Sequence, residues 1–291
     1  MPDLALAGLL TIATILWGVT FTVVRDAVAV YGVLSFLAVR FLIASIALGV
    51  IGARRMSLRT LLVGGAVGSA LALGFVLQTI GLRYTSPTNS GLITGLVVVL
   101  TPAIAFVMYR TRTPKLYIAP VLGAFVGLAL LTGESPEEFR LGDVLTMACA
   151  VAFAAHVVLL GRYAAAHDAI GFALAQMVST AALCGIAAPI FEPMELPPRE
   201  VWFALGLTGL GASALAFLIM TYVQQRLSAV RTAVILTMEP LFAVVFGYVL
   251  AGDRLTSIQA VGAALILSAL LVGEVGPAIL NGLRAESGSS P

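Results

Sequence analysis

Ten apolar segments, separated by short polar linkers, occupy almost the whole of this 291-residue chain. A helix needs about 20 apolar residues to cross the roughly 30 Å of hydrocarbon in a bilayer, and most of these segments approach or reach that length. The predicted spans are residues 4–24, 33–51, 61–82, 88–109, 115–133, 142–161, 169–191, 201–223, 232–251 and 256–276. Backbone groups inside a membrane must be hydrogen-bonded within the protein, and a helix achieves this within its own segment. The sequence therefore predicts an all-α polytopic membrane protein with ten transmembrane helices.

Composition excludes several other classes. Hydrophobic residues make up 60% of the chain and charged residues 10%, against a usual charged share of about 25%, so a soluble core could not bury this much apolar surface. The net charge of +2 is too small to indicate nucleic-acid binding. Cys149 and Cys184 both fall inside apolar segments, where they are expected to be small core residues. We expect neither a disulfide nor a metal site.

The positions of lysine and arginine predict the orientation, because cytoplasmic loops carry the excess of both. With the N-terminus inside, the inner side carries Arg54, Arg55, Arg59, Arg110, Arg112, Lys115, Arg162, Arg226, Arg231 and Arg284. The outer side then carries Arg25, Arg83, Arg140, Arg199 and Arg254. This asymmetry predicts a multi-pass protein of the cell inner (plasma) membrane with both termini cytoplasmic.

The two halves of the chain repeat each other. Residues 89–102, which end in Thr-Pro, correspond to residues 231–240, which end in Glu-Pro, and similar Gly-Ala runs follow both prolines. Five spans in each half make the second half enter the membrane from the opposite side. We predict two inverted repeats, 1–138 and 139–283, followed by a disordered tail, 284–291. In transporters with this symmetry the binding site lies near the midplane, between the repeats.

Glu239 and Pro240 interrupt the ninth span near its middle. An acid at that depth costs roughly 2.5–3.5 kcal/mol on insertion scales, so it should face a cavity or a partner. Pro240 has no N–H to give to the carbonyl of Leu236, which predicts a broken helix. The pair indicates a binding site, or alternatively a structural kink with a protonated glutamate packed against neighbouring helices.

Several short motifs resemble the drug/metabolite transporter superfamily, EamA type. They are residues 16–18 (Leu-Trp-Gly), 40–41 (Arg-Phe), 84–91, 238–240 and 252–262. Asp253 stands where a glutamate is usual. The resemblance covers nearly the whole chain and implies ten helices in two inverted repeats around a central cavity. It also implies export of amino acids or related small metabolites, as in the YddG-like amino-acid exporter branch, which the chain resembles.

Candidate substrate-binding residues are the polar and aromatic groups at depth on the helices that would line this cavity. They are Trp17, Thr20, Gln78, Asn89, Thr94, His156, Tyr222 and Glu239. Most of them have a structural alternative: packing for Trp17, a hydrogen-bonded core group for His156, an N-terminal helix partner for Asn89, and rim positions for Gln78 and Tyr222. Pro102 and Pro240 are candidate hinges.

Arg40 lies about seven residues into the second span, where its side chain either extends outward to water or pairs with a buried acid. Glu239 should lie roughly 8 Å deeper by helix rise, near the limit of an arginine's reach. The Gly64-x-x-x-Gly68 and Gly123-x-x-x-Gly127 patterns predict close helix packing.

The function favoured by these features is that of a secondary transporter of a small molecule, embedded in the lipid bilayer, exporting amino acids by alternating access. Alternative substrates are a nucleoside, an amine or a drug-like cation, moved in either direction. An intramembrane enzyme is a remote alternative, because the sequence has no His-Glu-x-x-His, no Gly-x-Ser-x-Gly and no phosphate-binding glycine loop. We expect no cofactor, and a gradient rather than ATP as the energy source. A monomer is compatible with the sequence.

Overall fold

In the computed structural model, residues 3–85, 87–132, 141–193, 195–246 and 256–286 are described, and every regular element in them is helical. The helices are α1 Asp3–Val30, α2 Val33–Gly52, α3 Leu58–Gly81, α4 Pro87–Thr94, α5 Val97–Tyr109, α6 Ile118–Thr132, α7 Leu141–Tyr163, α8 Ala169–Phe191, α9 Trp202–Gly206, α10 Ala216–Gln224, α11 Ala229–Leu236, α12 Met238–Phe246 and α13 Ser257–Glu286. A π-helix, Leu207–Leu215, joins α9 to α10. The predicted all-helical class is confirmed.

Within the described ranges, six helical stretches are long and apolar enough to cross a membrane. They are Asp3–Val30, Val33–Arg55, Leu58–Gly81, Leu141–Ala166, Ala169–Phe191 and Arg199–Gln224. They match six of the predicted spans and are consistent with a polytopic membrane protein. The end of the bundle where α1 ends and α2 begins is called the α1–α2 end. The opposite end, where α2 ends and α3 begins, is called the α2–α3 end.

The other four predicted spans differ in form. Those at 88–109 and 232–251 are each divided into two shorter helices, α4 and α5 in the first and α11 and α12 in the second. The fifth and tenth spans correspond to α6 and α13, which pack mainly on each other. Helix α13 continues to Glu286, so the predicted tail begins inside a helix, and residues 287–291 lie outside the described part.

Helices pack closely where the sequence places glycine. A Cβ atom on Gly64 would lie 2.6 Å from the Cβ of Ala175, and one on Gly68 would lie 2.7 Å from the carbonyl oxygen of Gln176. A Cβ on Gly127 would lie 2.8 Å from the carbonyl oxygen of Gly262. These distances are shorter than van der Waals contact, so glycine is what lets α3 approach α8 and α6 approach α13. The predicted packing role of these glycines is confirmed.

The break in the ninth span lies just before its proline. Helix α11 ends at Leu236 and α12 begins at Met238. The backbone N–H of Thr237 donates to the carbonyl oxygen of Val234, three residues earlier, at 3.2 Å. The Thr237 hydroxyl donates to the same oxygen at 2.6 Å. Because Pro240 lacks an N–H, the carbonyl of Leu236 cannot be bonded in α-helical fashion. The predicted broken helix is therefore confirmed, and Glu239 lies in the first turn of α12.

Candidate functional site

A cavity lies where residues from both halves of the chain meet, and its lining comes from α1, α2, α3, α4, α5, α7, α10, α11 and α12. This central cavity is lined by side chains that include Trp17, Arg40, Phe75, His156, Phe217 and Glu239. The space that a water-sized sphere can occupy inside it is about 70 Å³. One water needs roughly 10–15 Å³ on that scale, so there is room for a small solute. Val24 and Leu82 extend the lining toward the α1–α2 end.

Most of the predicted site residues reach this cavity. Its lining includes Trp17, Thr20, Gln78, Thr94, His156, Glu239 and Pro240. The residues that do not line it are Tyr222, which lies in a second cavity near the α2–α3 end, and Pro102, which lies within α5. The backbone of Asn89 belongs to α4, and its side chain lies outside the described part of the structure.

Glu239 is half-buried on the cavity wall. Among the described residues its carboxylate accepts no hydrogen bond within 3.5 Å and pairs with no cation within 4.0 Å. Gly18 allows α1 to lie directly against this turn, because a Cβ on Gly18 would come within 3.1 Å of the Glu239 carbonyl oxygen and 2.7 Å of the Phe242 Cβ. The carboxylate therefore lines the cavity without a hydrogen-bond partner among the described residues.

Trp17 presents a ring face to the cavity while its N–H is already used. Its Nε1 donates to the carbonyl oxygen of Ala212 in the π-helix, at 2.7 Å. The ring also packs against Phe217, with centroids 5.2 Å apart and planes tilted by 49°. The indole N–H is therefore occupied within the protein, and the ring is the part of Trp17 that can contact a ligand.

His156 is held in one tautomer by its neighbour. Its Nε2 lies 2.8 Å from Oε1 of Gln176, while the amide nitrogen of Gln176 donates to the carbonyl of Phe172 and to the hydroxyl of Thr221, each at 3.2 Å. Because those two contacts fix the amide orientation, the Gln176 oxygen accepts and the His156 Nε2 carries the proton. Neutral His156 therefore retains an acceptor, Nδ1, and no free donor.

The hydroxyls of Thr20 and Thr94 are likewise committed as donors. Thr20 donates to the carbonyl of Trp17 (2.8 Å), and Thr94 donates to the carbonyl of Ser90 (2.7 Å). Gln78 donates through its amide nitrogen to the Thr94 oxygen (3.0 Å). The hydroxyl hydrogens of Thr20 and Thr94 are therefore used within the protein. Their oxygens, and the amide oxygen of Gln78, can still accept hydrogen bonds.

Arg40 is a cavity residue that the sequence reasoning left out of the site. It is 2% exposed, and its Nε donates to the hydroxyl of Ser213 at 2.8 Å. Its guanidinium carbon lies 4.6 Å from the ring centroid of Phe75 and 5.3 Å from that of Phe41. The side chain thus neither extends outward to water nor pairs with a described acid. The sequence signal that could have identified Arg40 was its position deep inside an apolar span.

The sequence analysis also did not predict a group of phenylalanines at the cavity. Phe75 makes edge-to-face contacts with Phe41, Phe153 and Phe217, at centroid distances of 5.1, 5.1 and 5.9 Å. Three of these rings, those of Phe75, Phe153 and Phe217, line the cavity. Nothing in an apolar span separates a cavity-facing phenylalanine from a lipid-facing one. The arrangement gives the cavity an apolar wall beside its polar groups.

The second cavity, at the α2–α3 end, contains Tyr222 and His167. The Nδ1 of His167 lies 3.0 Å from the hydroxyl of Thr60, and its ring stacks on Phe172 at 4.8 Å. Burial, followed by the positive charge of Arg59, lowers the pKa of His167. This cluster is separate from the central cavity.

Comparisons with known proteins agree with this architecture. The model of the EamA-like transporter family matches residues 5–133 and again residues 140–272. An uncharacterized transporter of Archaeoglobus fulgidus is 31% identical over 263 residues, covering 90% of this chain and 83% of that protein. The uncharacterized transporter YyaM of Bacillus subtilis is 26% identical, covering 89% and 90%. A solved structure, described as the crystal structure of a protein, superimposes with a TM-score of 0.77 at 20% identity, over 94% of this chain and 98% of that one.

Proposed function

Because the chain belongs to the EamA-like transporter family, and is thus a transporter rather than an enzyme, we propose that it exports small metabolites, and specifically amino acids, through the central cavity. The observation that carries the proposal is the cavity itself. Trp17, Arg40 and Phe75 belong to the first family match, and Phe217 and Glu239 to the second. A solute held there would contact both halves of the molecule.

The proposal includes two inverted five-helix repeats that alternate access to the cavity. Its support is the pair of divided spans: the α4–α5 break at 95–96 and the α11–α12 break at Thr237, each a few residues before a proline, Pro102 or Pro240. Discontinuous helices near the midplane are where such transporters form their sites. The prolines are proposed hinges at which each repeat bends.

The proposed orientation puts both termini in the cytoplasm and the α1–α2 end outside the cell. The lysine and arginine distribution supports it. Under this assignment the cavity lining extends toward the outer face, through Val24 and Leu82.

Amino acids suit the chemistry of the lining. The carboxylate of Glu239 can attract an ammonium group, and the phenylalanine wall can receive an apolar side chain. The limited volume favours a small solute over a large drug-like one. A small amine is the second candidate, since Glu239 would bind its cation equally well.

The test is uptake into liposomes that contain the purified protein. Radiolabelled amino acids, nucleosides and amines are screened against protein-free liposomes and against liposomes with the Glu239→Gln variant. We expect uptake of one or more amino acids above both controls. Uptake restricted to nucleosides, or identical for wild type and variant, would contradict the proposed substrate class.

A further inference from the structure

Arg40 has hydrogen-bonding capacity that the described protein does not use. Its Nε is bonded to Ser213, but its Nη2 has no hydrogen-bond partner although the atom is buried. A guanidinium group is always charged and carries five N–H donors. Within the described residues no carboxylate lies within 4.0 Å of it, so the charge is balanced there only by the faces of Phe41 and Phe75.

The residues around Arg40 indicate that its unused N–H donors serve to bind a ligand. A buried charge without a counter-charge is unfavourable. The guanidinium is fixed on both sides, by the Ser213 hydroxyl at 2.8 Å and by the Phe75 ring at 4.6 Å. Such fixation orients the remaining N–H groups before any ligand arrives.

Three other polar groups of the cavity have already used their donors. The N–H of Trp17, the Nε2–H of His156 and the hydroxyl of Thr20 are each bonded to a protein acceptor. A carboxylate, which only accepts hydrogen bonds, would find these three donors occupied and that of Arg40 free. Arg40 also matches a carboxylate geometrically, since the guanidinium fork can bind both of its oxygens.

We propose that Arg40 is an anion-binding residue of the central cavity, and that its guanidinium group binds the carboxylate of a small zwitterionic solute whose ammonium group faces Glu239. The inference rests on the proposed function and adds to it a second, opposite charge on the cavity wall. A zwitterion would satisfy both charges at once, whereas an amine would leave Arg40 unpaired.

The test is direct binding to the purified protein, measured by calorimetry and by the shift in unfolding temperature. The probes are L-alanine and L-leucine, their carboxamides, which lack the negative charge, and propionate, which lacks the amino group. At least one amino acid should bind the wild-type protein tenfold or more tightly than its carboxamide and than propionate. This comparison needs no variant, so a folding defect cannot obscure it.

Variants then assign the effect to one side chain. In Arg40→Gln the preference for the amino acid over its carboxamide should disappear. Arg25→Gln is the matched control, because Arg25 is exposed and its ion pair among the described residues is with Asp26, and it should keep the full preference. A wild-type protein that binds the carboxamides as tightly as the amino acids, or binds none of the carboxylates, would overturn the assignment. So would equal affinity for propionate, or a folded Arg40→Gln variant with an unchanged preference.

The binding test of the anion site and the uptake test of the proposed transport can give different results. Amino acids that bind through Arg40 but do not enter liposomes would support the anion site and contradict the proposed transport. Uptake of amines without any carboxylate binding would overturn the anion site and leave a transporter of another solute.

Discussion

The indole N–H of Trp17 donates to the backbone carbonyl of Ala212 across 195 residues of sequence, at 2.7 Å. Ala212 belongs to the π-helix, and the next residue, Ser213, accepts the hydrogen bond from Arg40. Two adjacent residues of one irregular segment therefore hold two side chains of the cavity wall. Short π-helical segments often occur at functional sites, and here the segment positions residues contributed by α1 and α2.

Replacing Trp17 by phenylalanine should separate its hydrogen bond from its packing. The variant keeps an aromatic ring but leaves the Ala212 carbonyl without its donor, which costs about 1–3 kcal/mol when the acceptor is buried. Trp17→Ala also removes the ring and should cost about 3–5 kcal/mol, since Trp17 is only 7% exposed. Thermal unfolding in detergent checks both. An unchanged unfolding temperature in Trp17→Ala would contradict the observed packing.

Replacing Gly18 by alanine should weaken the contact between α1 and α12. The new Cβ would lie 2.7 Å from the Phe242 Cβ, and overpacking of this kind typically costs about 1–3 kcal/mol. Gly8→Ala is the matched control, because no atom lies within 4 Å of a Cβ there, and alanine is favoured in helices by roughly 0.5–1 kcal/mol. Unfolding temperatures should therefore move in opposite directions. A stabilised Gly18→Ala would contradict the close approach.

Replacing Glu239 by glutamine should reduce transport of amino-bearing solutes at least tenfold. Glutamine keeps size and hydrogen bonding and removes the charge that attracts an ammonium group. Initial uptake rates into liposomes measure the effect, with Glu200→Gln, at an exposed position, as control. Wild-type rates in the Glu239 variant would instead favour a structural kink at Glu239-Pro240.

Glu192 ties the end of α8 to the start of α2. Its carboxylate accepts hydrogen bonds from the backbone N–H groups of Leu34 and Ser35 and from the Ser35 hydroxyl, each at 2.9 Å. An acidic side chain at a helix N-terminus satisfies unpaired donors and complements the helix dipole. Glu192→Ala should lower stability by about 1–2 kcal/mol. Glu195→Ala, nearby and exposed, should not, as thermal unfolding of both variants would show.

His167 should make the free energy of unfolding decrease as the solution becomes mildly acidic. Burial and Arg59 lower its pKa in the folded protein below the usual value of about 6.5, so the unfolded chain binds the proton more readily. The contribution of His167 is fully present above that pH and is lost as the pH falls through the folded pKa. His167→Gln should lack this part of the pH dependence. Parallel stability curves for wild type and variant between pH 7 and 5 would contradict it.

The sequence by itself determined the helical membrane class, the position of the broken ninth span and most of the polar cavity residues. The reason is energetic: a carboxylate such as that of Glu239 cannot face lipid cheaply, and a proline such as Pro240 cannot continue the backbone bonding of a helix. Constraints of this strength are visible in one span without knowledge of its neighbours.

Only the tertiary structure decided which way the other side chains face and what they contact. Membrane helices such as α2 are apolar on all sides, so hydrophobic periodicity does not reveal which face turns inward. The inward direction of Arg40, the pairing of Trp17 with Ala212 and the phenylalanine wall around Phe75 all follow from helix rotation, and close packing at glycines such as Gly18 and Gly209 helps to fix that rotation. Contacts between residues nearly two hundred positions apart carry no local sequence signal, because their geometry exists only once the helices have packed.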